Sequence, residues 1–408
     1  MATNQRSRNR SGEAAGNKSG AAVKKMSVKQ REAQKRKKII IFAVEVIIIL
    51  IMAAVLYLVN QLTAKGGDPG SEGSSGMRVT VIDPPINKEV LKEKEEGGTM
   101  HGYRNIAMFG VDAKNSSGLL KGNRSDTIMI ASINMDTGDI KLVSVYRDSY
   151  LNLGNDDYRK CNAAYANGGA EQAVKMLNMN LDMDITDFIT VGYAALAEVI
   201  DGLGGVWIDV DEAELKHINN YQYSILGKWA SKYITVTSDL NFTPDEYFAD
   251  YDFKLVEKAG YQKLDGLQAA AYCRIRYAGN DFYRTERQRE VIKAIEAQAK
   301  QANINTLTKV FNSAADDIYT SLNAADILEL LPLIANYSIV DEKEFPGRDM
   351  RLTVNMGAKG SCEVPVNLEA SVAELHEFLF DDANYKVSET VKEFNAKIQS
   401  DAGYYRGN

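Results

Sequence analysis

Between residues 105 and 146 the apolar positions fall in three short runs. NIAMFGV (Asn105 to Val111), TIMIASIN (Thr127 to Asn134) and IKLVSVY (Ile140 to Tyr146) each have the length and β-branched content of a strand. MDTGD, Met135 to Asp139, has the turn chemistry that joins the last two as a hairpin. Helical spacing follows in Gly169 to Leu181, and the stretch from Asp187 to Ile200 has helix spacing too. GLGGVWIDV (Gly202 to Val210) reads as a turn into another strand. Leu264 to Tyr277 reads as a short helix running into a strand, and a long helix is predicted from about Phe282 to Ala302. Strands alternating with helices predict an α/β fold with its sheet covered on both faces, and the early hairpin makes that sheet mixed.

A different pattern precedes these runs. Residues 39–62, IIIFAVEVIIILIMAAVLYLVNQL, are apolar for long enough to cross a bilayer and are interrupted only by Glu45, which predicts one transmembrane helix. A cleaved signal peptide is the competing reading, but the run is too long for one and no small-x-small site follows it cleanly. Residues 1–38 carry twelve Lys/Arg against two Glu, so the positive-inside rule keeps this end cytoplasmic and places the rest outside the cell. A nucleic-acid arm would use the same charges; beside an anchor, topology is the simpler cause, and no nucleic acid is expected as a partner. Residues 63–99 read as a flexible linker, 100–381 as the folded extracellular domain and 382–408 as a C-terminal tail.

Of the 408 residues 45% are hydrophobic, enough for a large core beyond the anchor. The net charge of −7 becomes about −16 once the basic head is set aside. The outer part is therefore no general polyanion binder, and clustered arginines within it need a local cause. Three cysteines, Cys161, Cys273 and Cys362, fit neither a disulfide framework nor a zinc site, although one pair remains open. With only three histidines, imidazole-based metal chemistry is not expected.

If consecutive early strands are antiparallel, the end of the first, the start of the second and the end of the third share one end of the sheet. Asp112, Arg124, Asp126, Arg147 and Asp148 then converge. Asp112 and Asp126 would crowd each other as like charges and make a hard-oxygen site of the kind Mg²⁺ takes beside phosphate. A paired acid/base role is the other use of the same carboxylates.

The stretch CRIRYAGNDFYRTERQRE, Cys273 to Glu290, then places five arginines in eighteen residues. Strand alternation would set Arg274 and Arg276 on one face. On the helix that follows, Arg284, Arg287 and Gln288 continue the stripe of Val291, Ile292 and Ile295, whereas Arg289 falls on the expected solvent face with Glu286 and Lys293. Asp281 is the expected N-cap. Four inward guanidinium groups suit a diphosphate; salt bridges to Asp112, Asp126 and Asp148 are the alternative.

GVD (Gly110 to Asp112), RSDTIMI (Arg124 to Ile130), SVYRDSY (Ser144 to Tyr150), KCNAAYANGG (Lys160 to Gly169), IDGLGGVWIDV (Ile200 to Val210), LDGLQAAAYCRIR (Leu264 to Arg276) and DFYRTERQ (Asp281 to Gln288) together resemble, in order, the LytR-CpsA-Psr family of cell-wall ligases. The resemblance covers roughly Met100 to Asp381. It implies a three-layer α/β/α fold with a hydrophobic pocket for a polyprenyl chain. It also implies Mg²⁺-assisted transfer of an anionic glycopolymer, of teichoic acid or capsule type, from undecaprenyl pyrophosphate to peptidoglycan. By motif, Asp112 and Asp126 would hold the metal, and Arg124, Arg147, Arg274, Arg276, Arg284, Arg287 and Gln288 would surround the phosphates, with Asp148 in the same RD pair as Arg147. Two positions depart from the family pattern: Tyr146 where proline is usual and Lys114 where arginine is common. A phosphatase acting on the lipid pyrophosphate and a non-catalytic polyprenyl-phosphate-binding regulator are the competing functions.

Overall fold

The computed structural model describes residues 78–113, 116–227, 251–276, 281–323, 326 and 337–407. The basic head, the expected transmembrane helix at 39–62 and the first part of the linker lie outside these residues, as does Lys114. Among the described residues no helix is long and apolar enough to cross a membrane.

The chain opens with β1 (Arg78–Val79) and α1 (Lys88–Glu95), then the three predicted strands β2 (Tyr103–Val111), β3 (Ser125–Asn134) and β4 (Asp139–Val145). A small ribbon, β5 (Tyr150–Asn152) with β6 (Tyr158–Lys160), leads to α2 (Ala163–Leu181), β7 (Asp187–Gly192) and α3 (Tyr193–Gly202). Next come β8 (Val206–Val210), α4 (Glu212–Ile225), β9 (Gly260–Leu264), α5 (Gly266–Arg274), α6 (Asp281–Ala299) and α7 (Ile304–Ala314). The rest is β10 (Ile318–Thr320), β11 (Ser338–Phe345), the hairpin β12 (Arg351–Asn355) and β13 (Ser361–Pro365), α8 (Leu368–Phe380) and α9 (Glu389–Gly407).

The main sheet has seven strands in the order β1-β10-β7-β2-β3-β4-β11. β2, β3 and β4 are successively antiparallel, while β7 runs parallel to β2 and β11 parallel to β4, so the sheet is mixed as expected. Strand alternation sorts its two faces. Ala107, Phe109 and Val111 of β2, with Ile128 and Ile130 of β3, join α2, α8 and α9 in one core. Met108, Gly110, Thr127 and Met129 face the other way, toward α3, α5 and α6. β8 and β9 pair only with each other and pack in a second core with α3 to α6, inside that helical layer.

Several expectations change. Asp187 to Ile200 is not one helix: Asp187–Gly192 pairs with Ile106–Val111 as a strand, because its alternating burial fits the open side of β2, and the helix starts only at Tyr193. Cys273 to Arg276 is not a strand either. Asp265 and Gln268 form a reciprocal capping box that starts α5, and the helix runs on through Arg274. The helix predicted from Gly169 begins at Ala163 and kinks at Gly168–Gly169. Gly169 has φ +67°, and any side chain there would strike the Leu120 carbonyl oxygen, so the kink needs glycine. No cysteine pair forms: all three thiols are free and buried.

Both expected domain boundaries were too narrow. β1 pairs with β10, Val90 of α1 is fully buried, and Lys94 bonds Asp184 at 2.6 Å, so residues 78–99 are not a free linker. At the other end Val391, Phe394, Ile398 and Ala402 of α9 enter the first core, and Asp182 takes hydrogen bonds from Asn87 and from the Ser388 backbone. Ile398→Ala should therefore lower the unfolding free energy by about 2–4 kcal/mol. Urea denaturation checks this; an unchanged midpoint would return 382–408 to the status of a tail.

Candidate active site

Because β2, β3 and β4 alternate in direction, Asp112 just past β2, Asp126 at the start of β3 and Arg147 just past β4 lie at one end of the sheet. The pairing of β2 with β3 slips at this end: Gly110 faces Thr127 but Val111 faces Ser125, which leaves Asp126 as the extra residue of a bulge. Such a residue is released from strict two-face alternation and can be re-aimed. Gly110 supports the approach, since a Cβ there would come within 2.8 Å of the Thr127 side chain.

Arg147 Nη1 donates to Asp126 Oδ1 at 2.7 Å, and its Nε lies 3.8 Å from Asp148 Oδ1. From the helical layer, Arg276 Nη2 lies 3.4 Å from Asp126 Oδ2 and Arg274 Nη2 3.4 Å from Asp112 Oδ2. Arg274 also stands over the Tyr193 ring at 5.0 Å. Burial alone would raise the Asp126 pKa, but the guanidinium groups of Arg147, Arg284 and Arg276 outweigh it and hold the carboxyl below its usual value. The expected crowding of Asp112 against Asp126 is thus answered by separate arginines. Arg284 is buried at the first turns of α6, and Arg124 is exposed just before β3. The helix does begin at Asp281, but the residues that precede it lie outside those described, so its capping role is not visible.

Two arginines sit elsewhere. Arg287 turns into the helical layer, donating from Nε to Glu214 Oε1 at 2.6 Å and from Nη1 to the Ile275 carbonyl at 3.0 Å. Arg289, expected on a solvent face, is only 6% exposed, because α6 is covered on that side by the chain around Glu342 of β11. Periodicity correctly separated Arg289 from Arg284, but it cannot show what covers the far side of a helix.

Between the sheet and α3, α5 and α6 is an apolar cavity of about 180 Å³, lined among others by Val111, Met129, Leu196, Val291 and Ile292. Gln288 reaches its wall. This side chain is buried, and its Nε2 has no hydrogen-bond partner among the described residues. The cavity lining also includes Val111 and Gly192, at the same strand ends that present the charged cluster.

Sequence reasoning missed Lys160 and Tyr193. Lys160 Nζ bonds Asp148 at 3.2 Å and so completes the Arg147–Asp148 pair; its place in the quoted KCNAAYANGG run was the available signal. Tyr146, where proline is usual, donates its backbone N–H to Phe345 at 3.0 Å, which proline could not do. Its hydroxyl bonds Glu344, and Arg351 lies 4.2 Å over its ring. Among the described residues no group of three or more His, Cys, Asp or Glu could hold a metal. Asp112 and Asp126 are hard-oxygen donors of the type Mg²⁺ takes when phosphate oxygens and water complete its shell.

Residues 81–360 match the family model described as the LytR_cpsA_psr family. The chain belongs to the LytR_cpsA_psr family. The matched range starts well ahead of Met100, in keeping with the wider domain. Among LytR_cpsA_psr relatives, the chain is 28% identical over 229 residues to the polyisoprenyl-teichoic acid–peptidoglycan teichoic acid transferase TagU of Enterococcus faecalis, covering 55% of this chain and 63% of that protein. It is 26% identical over 246 residues to the corresponding transferase TagT of Bacillus subtilis, covering 60% and 68%. The solved structure of TagT bound to LI-WTA shares the fold at 20% identity and a TM-score of 0.51, covering 79% of this chain and 99% of that one. Bacillus subtilis TagV does so at 22% identity and a TM-score of 0.51, covering 70% and 98%.

With chelator present, Asp126→Asn should lower stability by about 1–3 kcal/mol, because it leaves several guanidinium groups without their shared counter-charge. Asp112 is half exposed with one long contact, and Asp112→Asn should change stability by less than about 1 kcal/mol. Denaturant unfolding compares them; equal losses would mean that the arginines are not organised around Asp126.

Proposed function

We propose that this protein is a phosphotransferase that moves an anionic glycopolymer from an undecaprenyl-pyrophosphate carrier to a hydroxyl of peptidoglycan. The observation that carries this reading is the adjacency of a guanidinium cluster to an apolar cavity at the same strand ends. That pairing suits a ligand with a multiply charged head and an apolar tail. The named relatives act as teichoic acid transferases on peptidoglycan, which supports the same class of reaction. Teichoic acid and capsule-type polymers both meet the requirement.

In this reading Arg147, Arg274, Arg276 and Arg284 hold the pyrophosphate oxygens, with Arg124 at the rim. Gln288 donates its unpaired amide N–H at the mouth of the cavity. Arg287 supports the site from behind through Glu214 and Ile275. Asp112 and Asp126 are the residues that would hold Mg²⁺, which supplies neutralisation of charge building on the phosphate oxygens. The acceptor oxygen attacks the polymer-bearing phosphorus, the P–O bond to the polyprenyl phosphate breaks with its electron pair going to that leaving group, and the hydroxyl proton passes to the departing phosphate or to water. Arg147 and Lys160 fix Asp148, which keeps Arg147 aimed at the site.

The same proposal covers the segments outside the described residues. Residues 39–62 span the cell membrane once, residues 1–38 remain cytoplasmic, and the catalytic domain faces the wall. Hydrolysis of the lipid pyrophosphate would use the same donor half, so labelled lipid-linked polymer with and without peptidoglycan separates the two: label appearing on peptidoglycan supports transfer, and release of free polymer alone overturns it.

Asp112→Ala or Asp126→Ala should abolish metal-dependent turnover; activity surviving in both single variants would remove the metal assignment. Arg276→Lys should weaken polyprenyl-pyrophosphate binding by about 1.5–3 kcal/mol, since an ammonium does not reproduce two-oxygen contact. Ile292→Trp should reduce affinity for the same lipid roughly tenfold by filling the cavity, yet leave inorganic pyrophosphate binding unchanged in calorimetric titration. Parallel losses for both ligands would mean that the cavity does not hold the chain.

A further inference from the structure

On the side of α6 opposite the apolar cavity lies a second, larger opening of about 700 Å³. The two sets of lining residues separate by helical spacing: Gln288, Val291 and Ile292 face the cavity, whereas Tyr283, Glu286, Glu290 and Lys293 face this cleft. Its other walls come from the start of α4 and from Glu342 of β11.

Most of its charges are already engaged. Glu214 takes the Arg287 Nε–H, and Lys293 lies 2.7 Å from Glu342 Oε2. Glu290 accepts from the Tyr272 hydroxyl at 2.7 Å. Arg289 differs. It lines the cleft at 6% exposure, and its Nε and Nη1 are sealed from solvent with no hydrogen-bond partner among the described residues. The nearest carboxylate, Glu342, stands 3.7 Å from Nε, beyond hydrogen-bond reach, and is held by Lys293. A buried guanidinium with unfilled donors is costly unless an incoming oxygen pair meets it.

The charge balance narrows what that ligand is. Five carboxylates against three cations line the cleft, so a polyphosphate would be repelled along its length. A hydroxyl- and amide-rich sugar chain whose peptide branch ends in a carboxylate meets the arginine with that anion and the surrounding carboxylates with its donors. Tyr283, half exposed at the rim, offers a ring face for a pyranose. We propose that this cleft, centred on Arg289, binds an amino-sugar chain through the carboxylate of its peptide branch and so seats the acceptor glycan beside α6. The proposal rests on the transferase reading, whose donor site lies across the same helix.

The test is calorimetric titration of the full chain, in detergent, with an N-acetylglucosaminyl–N-acetylmuramyl dipeptide as probe, alongside the same probe with its carboxyl groups amidated and a glycerol phosphate oligomer. Wild-type protein should bind the acid form, and Arg289→Gln should weaken it about ten- to a hundredfold. Tyr283→Ala, an exposed change that leaves the fold intact, should weaken it several-fold, the amidated probe should bind poorly, and the glycerol phosphate oligomer should not compete. Polyprenyl-pyrophosphate affinity should be unchanged in both variants. Equal binding of acid and amidated probes overturns the proposal, as does stronger binding of the glycerol phosphate oligomer. Should Arg289→Gln unfold, Tyr283→Ala and the probe pair still decide. No probe binding while the prenyl pyrophosphate binds normally overturns the acceptor cleft and leaves the donor-side reading standing; loss of both removes the two together.

Discussion

The guanidinium groups of Arg147, Arg276 and Arg284 all act on the single carboxylate of Asp126. They come from three places in the chain: the end of β4, the residues after α5, and α6. Packed side by side they repel, and only a shared counter-charge allows them to converge. Asp126 can serve all three because the bulge at the start of β3 frees it from the pleat. The helical layer is therefore held to this end of the sheet by an ion cluster as well as by apolar packing. Donors arranged around one carboxylate are also arranged for a phosphate, which brings more charge and more oxygens to the same fork geometry.

A second carboxylate does the corresponding work inside the helical layer. Glu214 completes the capping box of α4, takes the Nε–H of Arg287 from α6, and stands 3.1 Å from the Tyr272 hydroxyl of α5, a hydroxyl it shares with Glu290. It is 6% exposed, so these bonds are made where water does not compete. Three helices are thereby fixed relative to one another, and the first turns of α6, which carry Arg284, inherit that position. Arg287 matters to the site although it does not enter it.

What the sequence disclosed follows from which patterns are local. The convergence of Asp112, Asp126 and Arg147 was legible, because the tight turn between β3 and β4 makes them antiparallel neighbours and β2 directly precedes them in the chain. The stripe of Arg284, Gln288, Val291 and Ile292 was legible from helical period alone. The strand assigned to Cys273–Arg276 failed because two alternations are too few to outweigh a helix already started by Asp265 and Gln268. Asp187 to Ile200 failed because short apolar runs fit either period, and the unpaired side of β2 decided the outcome. Helix α9 carries its apolar residues at 391, 394, 398 and 402, a helical spacing that lies beyond the span of the family resemblance. The burial of Arg289 had no sequence signal, since it depends on what packs across from the helix.

Helix α6 is consequently a partition. Its inner side closes an apolar cavity, its outer side forms the wall of a charged cleft, and its N-terminal turns carry Arg284 into the field of Asp126. An apolar chain gains from the first space and is excluded from the second by the expense of covering so many carboxylates and guanidinium groups. A hydrated sugar is excluded from the first for the converse reason. In the proposed transferase, two substrates of opposite polarity would reach the phosphate site from the two sides of this helix without competing for the same surface. Ordinary periodicity is enough for this division: four residues on one stripe and four on the other separate an apolar wall from a charged one.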